Sequence, residues 1–370
     1  MLRPVPWLTV CTFGKANSLA RQPGQSRESA GLEFPFPVFL CDAGGTNVRF
    51  SLVPRKGARP GQALVLKTGD YPAFEDALSA AVASLGAKPR ALIACAAGPV
   101  AGCRIKLTNA DWIIDGAEVA RKASLDQGLL LNDFEAQALS LPVIETAWTR
   151  PLGPALAPAG GVQLVLGPGT GLGVAALAAA EGRWLALSSE AGHMDFGPLG
   201  AEESVIWPHL DKGALGRVCA ETVLSGHGLL RLYRARCAAQ GVAASLASEV
   251  ELTEKARAVP DGAEAAALAH CWRLVARFAG DLALAFLAKG GVTLAGGVLP
   301  RIAEFCEEAR FRAAFEDKAP YNEMMRGIGT RLITAEDTIL FGMAAIAAAP
   351  QNYAIDYAQR AWRQMPAVFL

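Results

Sequence analysis

Asp42-Ala43-Gly44-Gly45-Thr46-Asn47-Val48-Arg49-Phe50 joins two apolar runs, Val38–Cys41 and Phe50–Val53. The pattern predicts a strand, a tight glycine turn and a second strand. Gly44 and Gly45 let the backbone come close to a bound group, because no side chain is in the way. Thr46 and Asn47 add short donors, and Asp42 at the strand end can hold a magnesium-bound water. Together these residues predict a cradle for the terminal phosphates of ATP. Taken alone, the stretch also reads as an ordinary hairpin turn.

It is not alone. Gly167-Pro168-Gly169-Thr170-Gly171-Leu172-Gly173 joins the apolar runs Val162–Leu166 and Val174–Ala178. A third glycine turn, Gly296-Gly297, follows the strand-like Val292-Thr293-Leu294. No G-x-x-x-x-G-K-[ST] occurs, so the chain is not a Walker-type nucleotide binder. The second turn misses G-x-G-x-x-G and leads into a strand rather than a helix, which argues against a dinucleotide fold.

Four short segments carry polar groups with no obvious use in a core: Thr108–Trp112, Leu131–Ala136, Ser188–Phe196 and Cys219–Gly226. Singly, each has a plain explanation. Asn132 or Asp133 reads as a helix cap, Asn109 as a turn former, His193 as a core histidine and Glu221 as a solvated helix face. Jointly they supply the Asp, Glu, Asn and His groups that hexose recognition needs, since every sugar hydroxyl both donates and accepts.

The elements that must position these groups are visible in the apolar pattern. Strand signals recur at Val38–Cys41, Phe50–Val53, Ala63–Lys67, Ala91–Ala94, Leu129–Leu131 and Arg331–Thr334. Helical periodicity marks Tyr71–Leu85, Asp115–Lys122 with Asp115 as N-cap, and Asp337–Ala348. Helix dominates from Glu202 to Lys289, with the longest element over about Asp261–Ala288. The Pro/Gly/Ala stretch Pro151–Gly161 reads as a connection. The uncharged run Val162–Ala180 is long enough for a membrane span, but Pro168 and four glycines divide it into two strand-sized pieces.

Composition sets the outer bounds. A chain of 370 residues, 52% apolar, is long enough for two domains. Lys and Arg balance Asp and Glu at 35 each, which argues against a nucleic-acid surface. The eight cysteines show neither C-x-x-C nor Cys/His ligand spacing, and they point to a reducing, cytoplasmic location. The four histidines are too dispersed in sequence for a metal cluster, so no protein metal site is expected. Residues 1–35 have a basic, Pro-, Gln- and Ser-containing composition and are expected to form a disordered extension.

The order and spacing of the glycine turns resemble sugar kinases of the actin-like ATPase superfamily. Nine pieces narrow the resemblance to the bacterial glucokinase family: DAGGTNVRF at 42–50, AGPVAG at 97–102, TNADW at 108–112, LNDFEA at 131–136, GPGTGLGVA at 167–175, SSEAGHMDF at 188–196, AETVLSGHGLLRLYR at 220–234, LAGGVLPR at 294–301 and RFRAAFEDK at 310–318. The resemblance runs from Val38 to about Ala349. It implies an α/β, two-domain actin-like ATPase (ribonuclease H-like) fold. The smaller α/β domain would span 36–143, with a C-terminal helix within 335–355 returning to it. The larger, more helical α/β domain would span 144–334.

The same resemblance implies phosphorylation of glucose at its 6-hydroxyl by ATP with Mg2+, in a cytoplasmic homodimer with no membrane or nucleic-acid partner. Asp133 would be the catalytic base. Asn132, Glu190, His193 and Glu221 would hold the sugar, with Asn109 nearby. Asp42, Gly44, Gly45, Thr46 and Asn47 would face the phosphates from one domain, Gly169 and Thr170 from the other, and Gly296 and Gly297 would pass close to adenosine. Magnesium would be held mostly by ATP oxygens and waters.

Two departures stand out. The family usually has Pro where this chain has His227, and Ala319-Pro320-Tyr321 replaces its common continuation after Asp317-Lys318. Two other readings compete. A kinase of the repressor–ORF–kinase group, acting on another hexose or an amino sugar, commonly carries a cysteine-rich zinc loop after the histidine; here the next cysteine after His193 is Cys219. A non-catalytic sugar sensor would need a helix-turn-helix, and residues 1–35 show no helical apolar pattern to supply one.

Overall fold

The computed structural model describes residues 33–157 and 161–363. The extension expected for residues 1–35 therefore lies outside them except at its end. There Phe34 is buried in the core, so the folded part starts ahead of the boundary at residue 36.

Fifteen strands follow in the described residues: β1 (Val38–Ala43), β2 (Asn47–Val53), β3 (Leu64–Lys67), β4 (Ala91–Ala96), β5 (Val100–Ala101), β6 (Arg104–Lys106), β7 (Ile113–Asp115), β8 (Gln127–Asn132), β9 (Thr149–Pro151), β10 (Gln163–Pro168), β11 (Leu172–Ala180), β12 (Arg183–Ser189), β13 (Gly291–Leu294), β14 (Thr330–Ile333) and β15 (Ala361–Arg363). They build two six-stranded sheets, ordered β15-β8-β4-β1-β2-β3 and β12-β11-β10-β13-β14-β9. Each sheet has an antiparallel three-strand meander, two further parallel strands and one antiparallel edge strand. The two halves thus repeat one plan. The strands β5, β6 and β7 form a separate small sheet.

Period-two alternation sends each strand's side chains into different layers. In β1, Val38 and Leu40 face a central layer while Phe39 and Cys41 face an outer one. In β10, Val165 faces the central layer while Leu164 and Leu166 face the other outer one. The outer layer of the first sheet includes the helices Phe74–Leu85 and Gly116–Ala123. The outer layer of the second includes the 23-residue helix Ala263–Ala285. Two helices fill the centre, Asp133–Ser140 and Thr338–Ala348. The helix Thr338–Ala348 packs against β1 of the first sheet and against the helix Asp133–Ser140.

Asp115 caps its helix, its Oδ1 accepting from Ala117 N at 3.1 Å. The run Val162–Ala180 is the β10–β11 hairpin. Among the described residues no helix is long and apolar enough to cross a membrane. Besides the short β9, three strand regions go beyond the sequence pattern. β12 is a largely half-exposed edge strand, so it shows no clean alternation. The small β5–β7 sheet is built from pieces of two or three residues. β15 lies past the last periodic helix.

Candidate active site

The three glycine turns lie at the ends of corresponding strands. Gly44 and Gly45 sit between β1 and β2, Gly169 and Thr170 between β10 and β11, and Gly296 and Gly297 after β13. Gly44 N donates to Asn47 O at 2.9 Å and closes the first turn. Thr68 Oγ1 donates to Gly44 O at 2.8 Å and pins it from outside. Gly45 comes so close to Asn109 that a Cβ there would lie 2.8 Å from the Asn109 backbone oxygen. The second turn is held by Gly226 N, which donates to Gly169 O at 2.9 Å.

Two cavities meet at these turns. One, of about 470 Å³, is lined by Asn109, Asn132, Asp133, Glu190, His193 and Glu221. The other, of about 690 Å³, is lined by Thr46, Asn47, Arg49 and Gly297, with His227, Glu249 and Arg301 further along. Gly44, Gly45, Gly169 and Thr170 line both. All six residues expected at the sugar thus converge, from four segments far apart in sequence. Asp42 and Gly296 line neither cavity. Gly296 has φ +82°, and a Cβ on it would strike Pro168 O, so it lets the third turn pack against the second.

Asn132 and Asp133 stand where β8 becomes a helix. Asn132 Oδ1 accepts from Phe134 N at 3.0 Å and Glu135 N at 3.1 Å, and Glu135 Oε2 accepts from Asn132 N at 3.3 Å. This reciprocal capping box fixes the first turn. The cap reading of Asn132 therefore holds alongside its place in the cavity. Its amide Nδ2 donates to Gly98 O at 3.1 Å. Asp133 Oδ1 accepts from Phe134 N at 2.9 Å. Among the described residues no cation pairs with Asp133. Burial pushes its carboxyl up to about 6; the Phe134 amide opposes the shift, and the charges of Asp42 and Glu190 add to it.

Glu190 and His193 flank a single short turn, His193 N donating to Glu190 O at 2.9 Å. Three-residue spacing brings both side chains to one cavity wall. Glu221 Oε2 accepts from Leu172 N at 2.8 Å, which ties this acid to the second glycine turn. Asp42 contacts Arg49 Nη1 at 3.5 Å and Cys95 Sγ at 3.6 Å. Burial raises its pKa, and Arg49 opposes the rise.

His227 lies in the larger cavity and not beside Glu221's acid group in the smaller one. Its Nδ1 is 2.8 Å from Glu249 Oε1. Glu221 and His227 sit on successive helices, Ala220–Val223 and Gly226–Ala239, with a break between them. Sequence reasoning also left Gly98, Phe134 and Arg360 without roles, although all three line the smaller cavity. Gly98 and Phe134 lie inside the pieces AGPVAG and LNDFEA; Arg360 carries no sequence signal.

The sequence profile of the family described as Glucokinase matches residues 39–350. The glucokinase of Sinorhizobium medicae is 39% identical over 332 residues, covering 90% of this chain and 98% of that protein. The chain belongs to the glucokinase family. That of Brucella suis is 40% identical over 333 residues, with 89% and 96% covered. Among solved structures, glucokinase from an Antarctic psychrotroph superposes with a TM-score of 0.75 at 28% identity, over 85% of this chain and 99% of that one. A Balamuthia mandrillaris glucokinase solved with glucose has a TM-score of 0.71 at 23% identity, over 87% and 95%, and supports the fold. The fold is the two-lobed α/β architecture of the actin-like ATPases, and the chain is a kinase.

Proposed function

We infer that this glucokinase-family enzyme phosphorylates glucose with ATP, and we assign Asp133 as the base that activates the 6-hydroxyl. The observation that carries the assignment is the junction of the two cavities at Gly44, Gly45, Gly169 and Thr170. A phosphoryl group passing from one cavity to the other must cross that point. Asp133 lines the smaller cavity. A carboxyl at about 6 is deprotonated near neutral pH and basic enough to take a proton in the transition state. Phosphoryl transfer asks mainly for positioning and charge neutralisation, which the turn amides supply.

Asn132, Glu190, His193 and Glu221 then hold the remaining hydroxyls, with Asn109 at the first turn. Thr46, Asn47 and Gly297 line the nucleotide side. Magnesium would sit among phosphate oxygens and waters, with Asp42 as an acceptor for one such water, and would neutralise charge there. Asp42 stands at the end of β1 beside the first turn, with 22% of its side chain exposed.

The two sheets are read as two domains that close over the sugar; a smaller radius of gyration with saturating glucose would support this, and an unchanged scattering profile would exclude it. A homodimer fits the exposed Met194, Leu199, Val205 and Leu215 of one segment, and sedimentation would test it. The seven described cysteines are unpaired, which supports a cytoplasmic location. Fractionation that recovers the activity outside the cytoplasm would overturn that location. The deciding assay couples ADP formation to oxidation of a reporter across a hexose panel. Glucose-dependent turnover is expected, and its absence would overturn the reading.

A further inference from the structure

The family match ends at residue 350, yet the chain returns to the active site after it. The short helix Tyr357–Arg360 and β15 carry it back along the edge of the first sheet. β15 pairs antiparallel with β8, setting Trp362 opposite Gly128 and Ala361 opposite Leu129. Trp362 is 7% exposed. Its ring fills a socket left by Gly116 and Gly128, where a Cβ on either would strike it. The segment is thus anchored on the strand that ends at Asn132.

The anchor aims Arg360 into the smaller cavity. Arg360 Nη1 donates to Glu135 Oε1. Glu135 is 6% exposed, and its other oxygen accepts the Asn132 amide to complete the capping box. A buried carboxylate that loses its only cation is strongly disfavoured. Among the described residues Arg360 is the sole ion-pair partner of Glu135. Without it, Glu135 gains by turning toward water. The box then opens, and the turn that fixes Asn132 and Asp133 loosens.

We propose that Arg360 is a positioning residue for the reaction: it holds Glu135, and through Glu135 the capping box that aims Asn132 and Asp133. Residues 357–363 therefore support the active site, Arg360 directly and the others by anchoring it. The inference rests on Asp133 being the base.

Arg360→Met is expected to lower kcat about tenfold with KM for ATP unchanged, because misplacing a reacting group costs rate without touching the nucleotide. Adding Glu135→Gln should return kcat to within about threefold of the parent. Gln keeps the capping box and needs no counter-ion. Parent-like kcat in Arg360→Met, or a folded double variant no faster than the single, would overturn the inference. Should Arg360→Met fail to fold, the double variant decides alone: near-parent kcat supports the role, and a tenfold loss means that Arg360 acts other than through Glu135. Asp133→Asn, assayed in parallel, separates the two claims. If it stays active, the base assignment fails. If it is inactive while Arg360→Met is normal, only the positioning role fails.

Discussion

β8 ends at Asn132–Asp133, and β14 leads to Asp337; each is the second of the parallel strands in its sheet, and each feeds a helix of the central layer. Both carboxyls are pushed up by burial. Their partners differ. Asp337 stands at φ +58° and lies 3.2 Å from Arg49 Nε, which also reaches Asp42. Asp133 has a backbone amide and an open cavity. A repeated framework can thus offer the same acid twice, and the nearest cation decides which one can accept a proton. An ion-paired carboxylate is a poorer base, because its partner stabilises the charged form.

The sharpest test of that contrast is a matched pair of amides. Asp133→Asn keeps the shape and is expected to lower kcat by about 10²–10⁴-fold with glucose affinity little changed. Asp337→Asn tolerates the same left-handed backbone and is expected to change kcat by less than about threefold. Similar losses in both variants, measured by steady-state turnover and glucose titration, would erase the distinction.

The pH dependence should report on Asp133 directly. The Asp133 base is lost as pH falls through about 6, so kcat/KM should drop about tenfold per pH unit below that value. Above it the rate should level off. Stability runs the other way. Because the folded carboxyl titrates above its ordinary value of 3.8, its stabilising contribution is present in acid and lost as pH rises through about 6. Asp133→Asn should therefore melt higher than the parent at about pH 8, with the gap closing toward about pH 4. A melting difference that does not depend on pH would mean that Asp133 titrates normally.

The second half of the cavity wall should respond in binding rather than in turnover. Glu190→Gln and His193→Ala each leave sugar hydroxyls unpaired, a loss of roughly 1–3 kcal/mol, or about 5–150-fold in glucose affinity. ATP affinity should stay within about twofold. Calorimetric titrations check both, and unchanged glucose binding would put the sugar elsewhere.

The smallest effect is expected at His227. Its pairing with Glu249 in the larger cavity predicts that His227→Pro shifts KM for ATP by about two- to threefold and leaves KM for glucose alone. A change confined to glucose would place this residue on the sugar side instead.

Much of this site was legible in the chain. Glycine pairs after apolar runs marked all three turns, because close backbone approach has few other solutions. The continuous apolar runs of β1 and β10, bounded by glycine turns, announced buried strands, since a short local signal survives whatever packs against it. Capping chemistry at Asp115 and Asn132 lies within four residues and is equally local. The convergence of Asn109, Asn132, Glu190, His193 and Glu221 was readable only through the family pattern, because no spacing rule links four separate segments spread from residue 109 to residue 221.

What remained was decided in three dimensions. Nothing in Gly116, Gly128 and Trp362 as a string says that two missing side chains make room for one indole. Nothing local tells Arg360 that its partner is Glu135, 225 positions earlier. His227 reads as a neighbour of Glu221 until the helix break turns it toward the other cavity. The sequence by itself determined the strands, the turns and the acids that could act, because those follow from residue type and short-range spacing. Only the tertiary structure decided which acid keeps a cation and which is left free, because charge pairing depends on distances that chain separation does not encode.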